Sequence, residues 1–234
     1  MLVDSKDFNP NQELVIALGD PAGIGMEVVL KALASSEIAT TLQPLLVGCR
    51  SSLIQTFERL QNQGDVALVD PRHLHIDDQP LTHPVEPGVP TVAAANAGFD
   101  WLSRAVELLK SRRSRALVTA PIAKHLWHAA GHLYPGQTER LAELAGTNQS
   151  SMLFTAVSPI SGWRLNTLLA TTHLPLAKVA STLTPALITH KLNVLTHFCR
   201  RFQSKPHLVV AGLNPHAGES GQLGQEEAHW LIPT

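Results

Sequence analysis

Two histidines stand beside prolines at the ends of apolar runs, His173 in "LLATTHLPL" and His216 in "VVAGLNPHAGESGQLGQEE". Each run reads as a strand, so each imidazole is expected at a strand's carboxyl end. A single histidine there more often serves the structure than chemistry, but two on different strand ends shift the reading. Neutral imidazoles converging on one cleft are common ligands for a divalent cation. A closed structural zinc site takes four ligands. A pair therefore suggests an open site, with a third ligand elsewhere and room for a substrate oxygen.

Three further stretches could handle an anion. Lys124 in "TAPIAKHLW" follows a strand and opens a helix, where the dipole disfavours a cation. A ligand anion or a carboxylate partner would relieve that, and a plain surface lysine is the competing reading. "PGQTERL" places Gln137, Thr138 and Glu139 at another helix start. The hydroxyl and free N–H groups there suit a phosphate or carboxylate, or the threonine simply caps the helix. "GDPAGIGMEVV" has strand, glycine turn and helix in the order that presents N–H groups to an anion. Its G-x3-G-x-G spacing is neither the dinucleotide fingerprint nor a P-loop, so a tight strand-to-helix turn is equally expected. The "HLH" of His73 and His75 is a weaker metal hint. His125, His128 and His132, and the pair His190 and His197, read as solvated or satisfied side chains.

The elements that must position these groups alternate. "ELVIAL", "PLLVGC", "DVALVD" and "RALVTAP" read as strands, separated by a helix over 27–33, one that ends at Gly64 after a turn, and one over 91–113. Residues 71–90 are punctuated by prolines and read as a loop. Short helices follow near 123–130 and from Thr138. "SMLFTAV" and "WRLNTLLATTH" flank the turn "SPISG", and Thr184-Pro185 signals a helix start. "HLVVAGL" reads as the last strand. Alternation of this kind predicts parallel βαβ units in an α/β fold, with ligands held beyond the strands' carboxyl ends. The closing "GQEEAHWLIPT" begins like a helix and stops before packing on anything, so a domain boundary at Thr234 is not expected.

Composition narrows the partners. The 234 residues are 44% hydrophobic and 16% charged, with a net charge of -1. That gives no electrostatic argument for nucleic acid or an acidic membrane surface. The basic run "KSRRSR" reads as a solvated helix end. Cys49 and Cys199 stand far apart without C-x-x-C spacing, which fits a reducing compartment. The polar "MLVDSKDFNPNQE" is not a signal peptide and no apolar run is long enough to span a membrane. A cytoplasmic location is expected.

Taken together, "GDPAGIG", "VTAPIAK", "PGQTE", "ATTHLPL" and "GLNPHAGESGQLGQEE" closely resemble, in this order, the PdxA family of 4-hydroxythreonine-4-phosphate dehydrogenases of vitamin B6 synthesis. The resemblance runs from about Leu14 onward. It implies an isocitrate/isopropylmalate dehydrogenase-like fold of two α/β/α domains, placed here at 13–122 and 123–234. It implies a homodimer with active sites at the interface. NAD or NADP would oxidise the C3 hydroxyl of 4-phosphooxy-L-threonine, and the resulting β-keto acid would lose carbon dioxide to give 3-amino-2-oxopropyl phosphate. A divalent metal (zinc, magnesium or cobalt) would rest on three histidines, two of them His173 and His216. Lys124 falls at a catalytic position and Gln137 and Thr138 at substrate-binding ones. The family often has histidine where Gln137 stands, so a paralogous dehydrogenase of another phosphorylated hydroxy acid is the alternative. The third histidine and the cofactor-binding residues belong to a C-terminal region not found in this sequence. An isolated chain is therefore expected to leave strand edges and apolar faces open, and an inactive metal- or phosphate-binding remnant is a further reading.

Overall fold

The computed structural model describes residues 14–39, 42–64, 67–112, 114, 116–147 and 149–234. The polar amino-terminal stretch and the first two residues of "DVALVD" lie outside the described residues. The chain divides into two compact units, Met1–Asn148 and Gln149–Thr234.

The first unit is built on four strands: β1 (Leu14–Ala17), β2 (Pro44–Gly48), β3 (His75–Asp78) and β4 (Ala116–Thr119). All pair in parallel, in the order β3-β2-β1-β4. Central β1 and β2 are almost continuously buried, as expected for strands covered on both faces, while the outer β3 and β4 are partly exposed. Helices α1 (Gly25–Leu33), α2 (Ser36–Ala39) and α3 (Arg50–Gln63) fall in the connections β1–β2 and β2–β3. The long α4 (Val92–Arg112) connects β3 back to β4 and packs on β1, β2 and β4. With right-handed crossovers, the reversal of direction puts α4 on the face opposite α1 and α3. Leu30, Leu46, Leu53 and Leu102 are 1% exposed or less, and each contributes roughly 1.5–3 kcal/mol by leaving water.

Two expectations for this unit are corrected. The third strand is not "DVALVD": residues 67–70 are irregular, and β3 lies in the proline-punctuated stretch. Polar partners decide this. Asp78 accepts from the Arg50 N–H at 2.8 Å at the start of α3, and Asp77 pairs with Arg104 at 2.9 Å. Residues 123–148 group with the first unit rather than opening a second. Helices α5 (Lys124–Ala129) and α6 (Gln137–Leu144) pack on α4, and Trp127, 1% exposed, meets Phe99 edge-on at 5.1 Å.

The second unit carries an antiparallel hairpin, β5 (Leu153–Val157) with β6 (Arg164–Leu168). Helices α7 (Leu176–Thr182) and α8 (Pro185–Cys199) follow. Thr184 caps α8, its hydroxyl accepting from the Leu187 N–H at 3.2 Å with Pro185 in the first turn. The hairpin leaves Phe154, Trp163 and Leu165 exposed. The predicted last strand, 207–213, is not a strand. A strand needs a neighbour to satisfy its backbone, and among the described residues none pairs with this run, whose Val209 is 77% exposed. No helix among the described residues is long and apolar enough to cross a membrane.

Candidate functional site

In the order β3-β2-β1-β4, the connections leaving β1 and β4 diverge at the sheet's carboxyl edge, the position where open α/β sheets form a crevice. The turn after β1 and the segment after β4 meet there. The Asp20 N–H donates to the Pro121 carbonyl at 3.0 Å, and the Ala120 N–H to the Ala17 carbonyl at 3.0 Å. Gly19 has φ +73, and a β-carbon on it would run into the Pro121 carbonyl. A β-carbon on Gly25 would run into the Leu18 carbonyl and stand 2.9 Å from the Ala120 methyl. Gly19 and Gly25 therefore permit close backbone approach, which agrees with the tight strand-to-helix turn, one of the two roles expected for this stretch. Asp20, 4% exposed, folds its carboxylate back to accept from the Ala22 N–H at 2.9 Å.

Lys124 and Gln137 flank the same crevice. Lys124 opens α5 and is exposed. Its ammonium lies over Gly136, 3.2 Å from where a β-carbon would stand. Gly136 immediately precedes α6, so the cation sits at that helix's amino end. Among the described residues no carboxylate lies within ion-pair distance of it. Gln137 spends a donor on the fold: its Nε2 donates to the Ala120 carbonyl at 3.2 Å, tying α6 to the end of β4. Thr138 is the second residue of α6, half-buried, and makes no side-chain cap. The loop before α6 is pinned by His132, whose ring stacks on Phe99 at 3.6 Å and shares a 2.7 Å hydrogen bond with the Asn96 carboxamide.

In the second unit, neither metal-candidate histidine ends a strand. β6 stops at Leu168, leaving His173 in an irregular stretch, and His216 follows the unpaired run 207–213. Both are exposed, and both hold left-handed backbone, with φ 55 at His173 and φ 50 at His216. Apart from the residues that follow His216 in its own turn, these are the described non-glycine residues with positive φ. Such conformations persist where the surroundings impose them and cluster at functional sites. His216, Ala217, Gly218, Glu219 and Ser220 form a continuous left-handed turn.

That turn is closed by residues the sequence reading passed over. The Asn214 N–H donates to Glu227 Oε1 at 2.6 Å, and Asn214 Nδ2 donates at 2.8 Å to both Glu227 Oε2 and Glu226 Oε2. Glu227 is 2% exposed. The Asn214 backbone N–H, then its side chain, holds the Glu227 carboxyl below the usual carboxylate range. The available signal was the spacing of Asn214 from the paired acids of "GQEE", which reads on sequence as an ordinary acidic helix start.

Two exposed imidazoles supply nitrogen donors suited to zinc, cobalt or, with added oxygens, magnesium. Among the described residues no group of three or more His, Cys, Asp or Glu is gathered. A metal at these histidines would therefore need further ligands from substrate or another chain. His73 and His75 line a separate open cavity of about 680 Å³ beside β3, together with Arg50, Arg72 and Arg104, and form no such group either.

Known proteins match this chain along most of its length. The family described as pyridoxal phosphate biosynthetic protein PdxA matches residues 28–234. A 4-hydroxythreonine-4-phosphate dehydrogenase from Synechococcus sp. (strain RCC307) is 59% identical over 93% of this chain and 66% of its own length. A D-threonate 4-phosphate dehydrogenase from Salmonella typhimurium is 36% identical over 94% of this chain and 69% of its own. The crystal structure of a 4-hydroxythreonine-4-phosphate dehydrogenase from Klebsiella pneumoniae superposes with a TM-score of 0.79 at 31% identity, over 95% of this chain and 70% of that one. The chain spans about two thirds of the length of the curated relatives it matches.

Proposed function

The chain belongs to the PdxA family, and on that premise we propose that it takes part in the NAD(P)-dependent oxidation of 4-phosphooxy-L-threonine in pyridoxal 5'-phosphate synthesis. The observation that supports this reading most is the Lys124 ammonium at the head of α6, where no carboxylate among the described residues comes within ion-pair distance, Glu139 Oε2 standing nearby at 3.5 Å from the same Gly136 β-carbon position. A phosphorylated, carboxylated substrate supplies the anion such a cation lacks.

Bound NAD or NADP would supply the oxidant, taking the hydride from C3 while the C3 hydroxyl gives up its proton. The bond from C2 to the carboxylate then breaks, carbon dioxide leaves, and C2 takes a proton to give 3-amino-2-oxopropyl phosphate. Lys124 is assigned to hold and move a proton at Nζ. Thr138 and the free N–H groups of α6 orient the phosphate or carboxylate. Gln137 donates one Nε2 proton to the Ala120 carbonyl and keeps the second for a substrate oxygen. His173 and His216 would hold a divalent ion, zinc, magnesium or cobalt, which would supply Lewis acidity toward the substrate hydroxyl. A homodimer with the active site at its interface completes the proposal.

The test is nicotinamide reduction by the purified chain with 4-phosphooxy-L-threonine, NAD or NADP and each metal in turn. D-threonate 4-phosphate, the substrate that the Salmonella relative's name states, serves as the competitor. Turnover of the former that is lost in His216→Ala supports the reading. Turnover of D-threonate 4-phosphate alone would replace it with a paralogous dehydrogenase. Metal or phosphate-ester binding without reduction of either cofactor would leave a binding protein.

A further inference from the structure

We propose that Glu227, acting through Asn214, is the positioning residue that holds His216 in the conformation presenting its imidazole to metal. The inference rests on the metal reading of His216 given above. Five consecutive left-handed residues from His216 to Ser220 are a costly backbone. The left-handed helical conformation disfavours L-residues by roughly 1–2 kcal/mol each, glycine excepted. Gly218 relieves one position, and the remaining four need the surroundings to impose their geometry.

Asn214 supplies that constraint two residues before His216. Its backbone N–H and both protons of its Nδ2 are spent on the carboxylates of Glu226 and Glu227. The Ala217 N–H returns to the Asn214 carbonyl at 3.2 Å, and the Leu223 N–H to the Gly218 carbonyl at 3.0 Å, so the loop is laced inside its clamp. Glycines let the clamp close. A β-carbon on Gly224 would collide with Asn214 Nδ2, and one on Gly218 would stand 3.3 Å from Glu227 Oε2 and 2.5 Å from the Gly224 carbonyl.

The energetics favour a clamp over an incidental contact. Glu227 is 2% exposed, and a buried charge is tolerated only when its hydrogen bonds are made. Among the described residues, Asn214 provides those bonds from elsewhere in the chain. Disengaging Asn214 would remove the two largest hydrogen-bond contributions to the carboxylate, leaving it the backbone N–H groups of Leu213 and Glu227, so the left-handed turn and the burial of Glu227 stabilise each other. The clamp thereby converts an acidic residue eleven positions downstream of His216 into a determinant of where that imidazole points.

The experiment is a Zn²⁺ titration of the full chain followed by histidine-ring NMR, with amide hydrogen exchange over residues 214–224, in wild type, His216→Ala, Glu227→Gln and Gly224→Ala. Glu227→Gln replaces an accepting oxygen with a donor facing Asn214 Nδ2. Gly224→Ala drives a methyl onto the same atom while leaving the carboxylate in place, and covers the case in which Glu227→Gln does not fold. Both variants are expected to speed exchange across the loop. Both should also weaken zinc at His216 by about 10-fold or more, the usual effect of losing a group that orients a ligand. Unchanged exchange, or faster exchange with zinc affinity within about 2-fold of wild type, would overturn the positioning role. If His216→Ala binds zinc as wild type does, the metal reading itself fails and the positioning role falls with it. The exchange data then still report whether the clamp holds the loop.

Discussion

Gly98 of α4 lies so close to the turn after β1 that a β-carbon on it would stand 2.9 Å from the Gly19 carbonyl oxygen. This contact lets the helix press on the backbone of the crevice, and it sets two effects of a substitution against each other. Helix propensity alone favours alanine over glycine by about 1 kcal/mol. The obstructing atoms are backbone, which cannot swing away, and overpacking of this kind costs about 1–3 kcal/mol. Gly98→Ala is therefore expected to destabilise. A urea midpoint at or above that of wild type would show that the crevice backbone yields.

Trp127 is 1% exposed and packs edge-on against Phe99, holding α5, and with it Lys124, to α4. Trp127→Ala should cost about 3–5 kcal/mol by removing a fully buried aromatic side chain. Chemical denaturation measures it. A loss below about 1 kcal/mol would mean that α5 packs less tightly than its burial indicates.

Removing the Lys124 charge by Lys124→Met keeps most of the side chain's apolar volume. If the ammonium meets a substrate anion, its loss should weaken binding of 4-phosphooxy-L-threonine by about 1.5–3 kcal/mol, the range for a hydrogen bond to a charged group. That is roughly 10-fold to 100-fold in dissociation constant. Calorimetric titration decides it. Unchanged affinity would return Lys124 to the solvated surface.

Glu227 and Glu226 both have carboxyl groups held below the ordinary range. For Glu227 the Asn214 backbone N–H is the main cause, and for Glu226 its own backbone N–H followed by the Asn214 carboxamide. A depressed folded pKa means that the ionised groups stabilise the native loop above the unfolded glutamate value of about 4.3. That contribution is lost as pH falls from there through the folded pKa. Protection of residues 214–224, corrected for intrinsic exchange, should therefore drop on acidification below about pH 4. In Glu227→Gln it should be lower and flatter. A loop whose protection holds through that range would not depend on these carboxylates.

Gln137→His would place a titratable ring where a neutral carboxamide now donates to Ala120. Histidine changes charge near pH 6.5. Affinity for the proposed phosphorylated substrate should then rise as pH falls through that value in the variant, beyond any change in wild type. Parallel pH profiles in the two proteins would show that residue 137 does not face the anion.

Much of the framework was legible because it is local. β1, β2 and β4 are short apolar runs, and the periodicity of α4 and the Thr184-Pro185 start of α8 act within a few residues of themselves. The motif order from Gly19 to Glu227 was enough to place the chain in its family. Strand identity was less secure, since it depends on a neighbour. "DVALVD" has a strand's composition, but β2 pairs instead with the polar His75–Asp78, whose acids meet Arg50 and Arg104. Residues 207–213 have the composition too, but no partner among the described residues.

By itself, then, the sequence determined the α/β alternation and the family, and it nominated His173, His216, Lys124 and Gln137 for the proposed chemistry. Those properties follow from residue type and short-range spacing. Only the tertiary structure decided how the groups are held. Gly19 is fitted under Pro121, the Lys124 ammonium stands at the head of α6, and both histidines lie in left-handed backbone. The turn bearing His216 is closed by an asparagine and a glutamate thirteen residues apart. The physical reason is that left-handed backbone at His216 is unfavourable locally and exists only because distant groups, brought together by folding, compensate it.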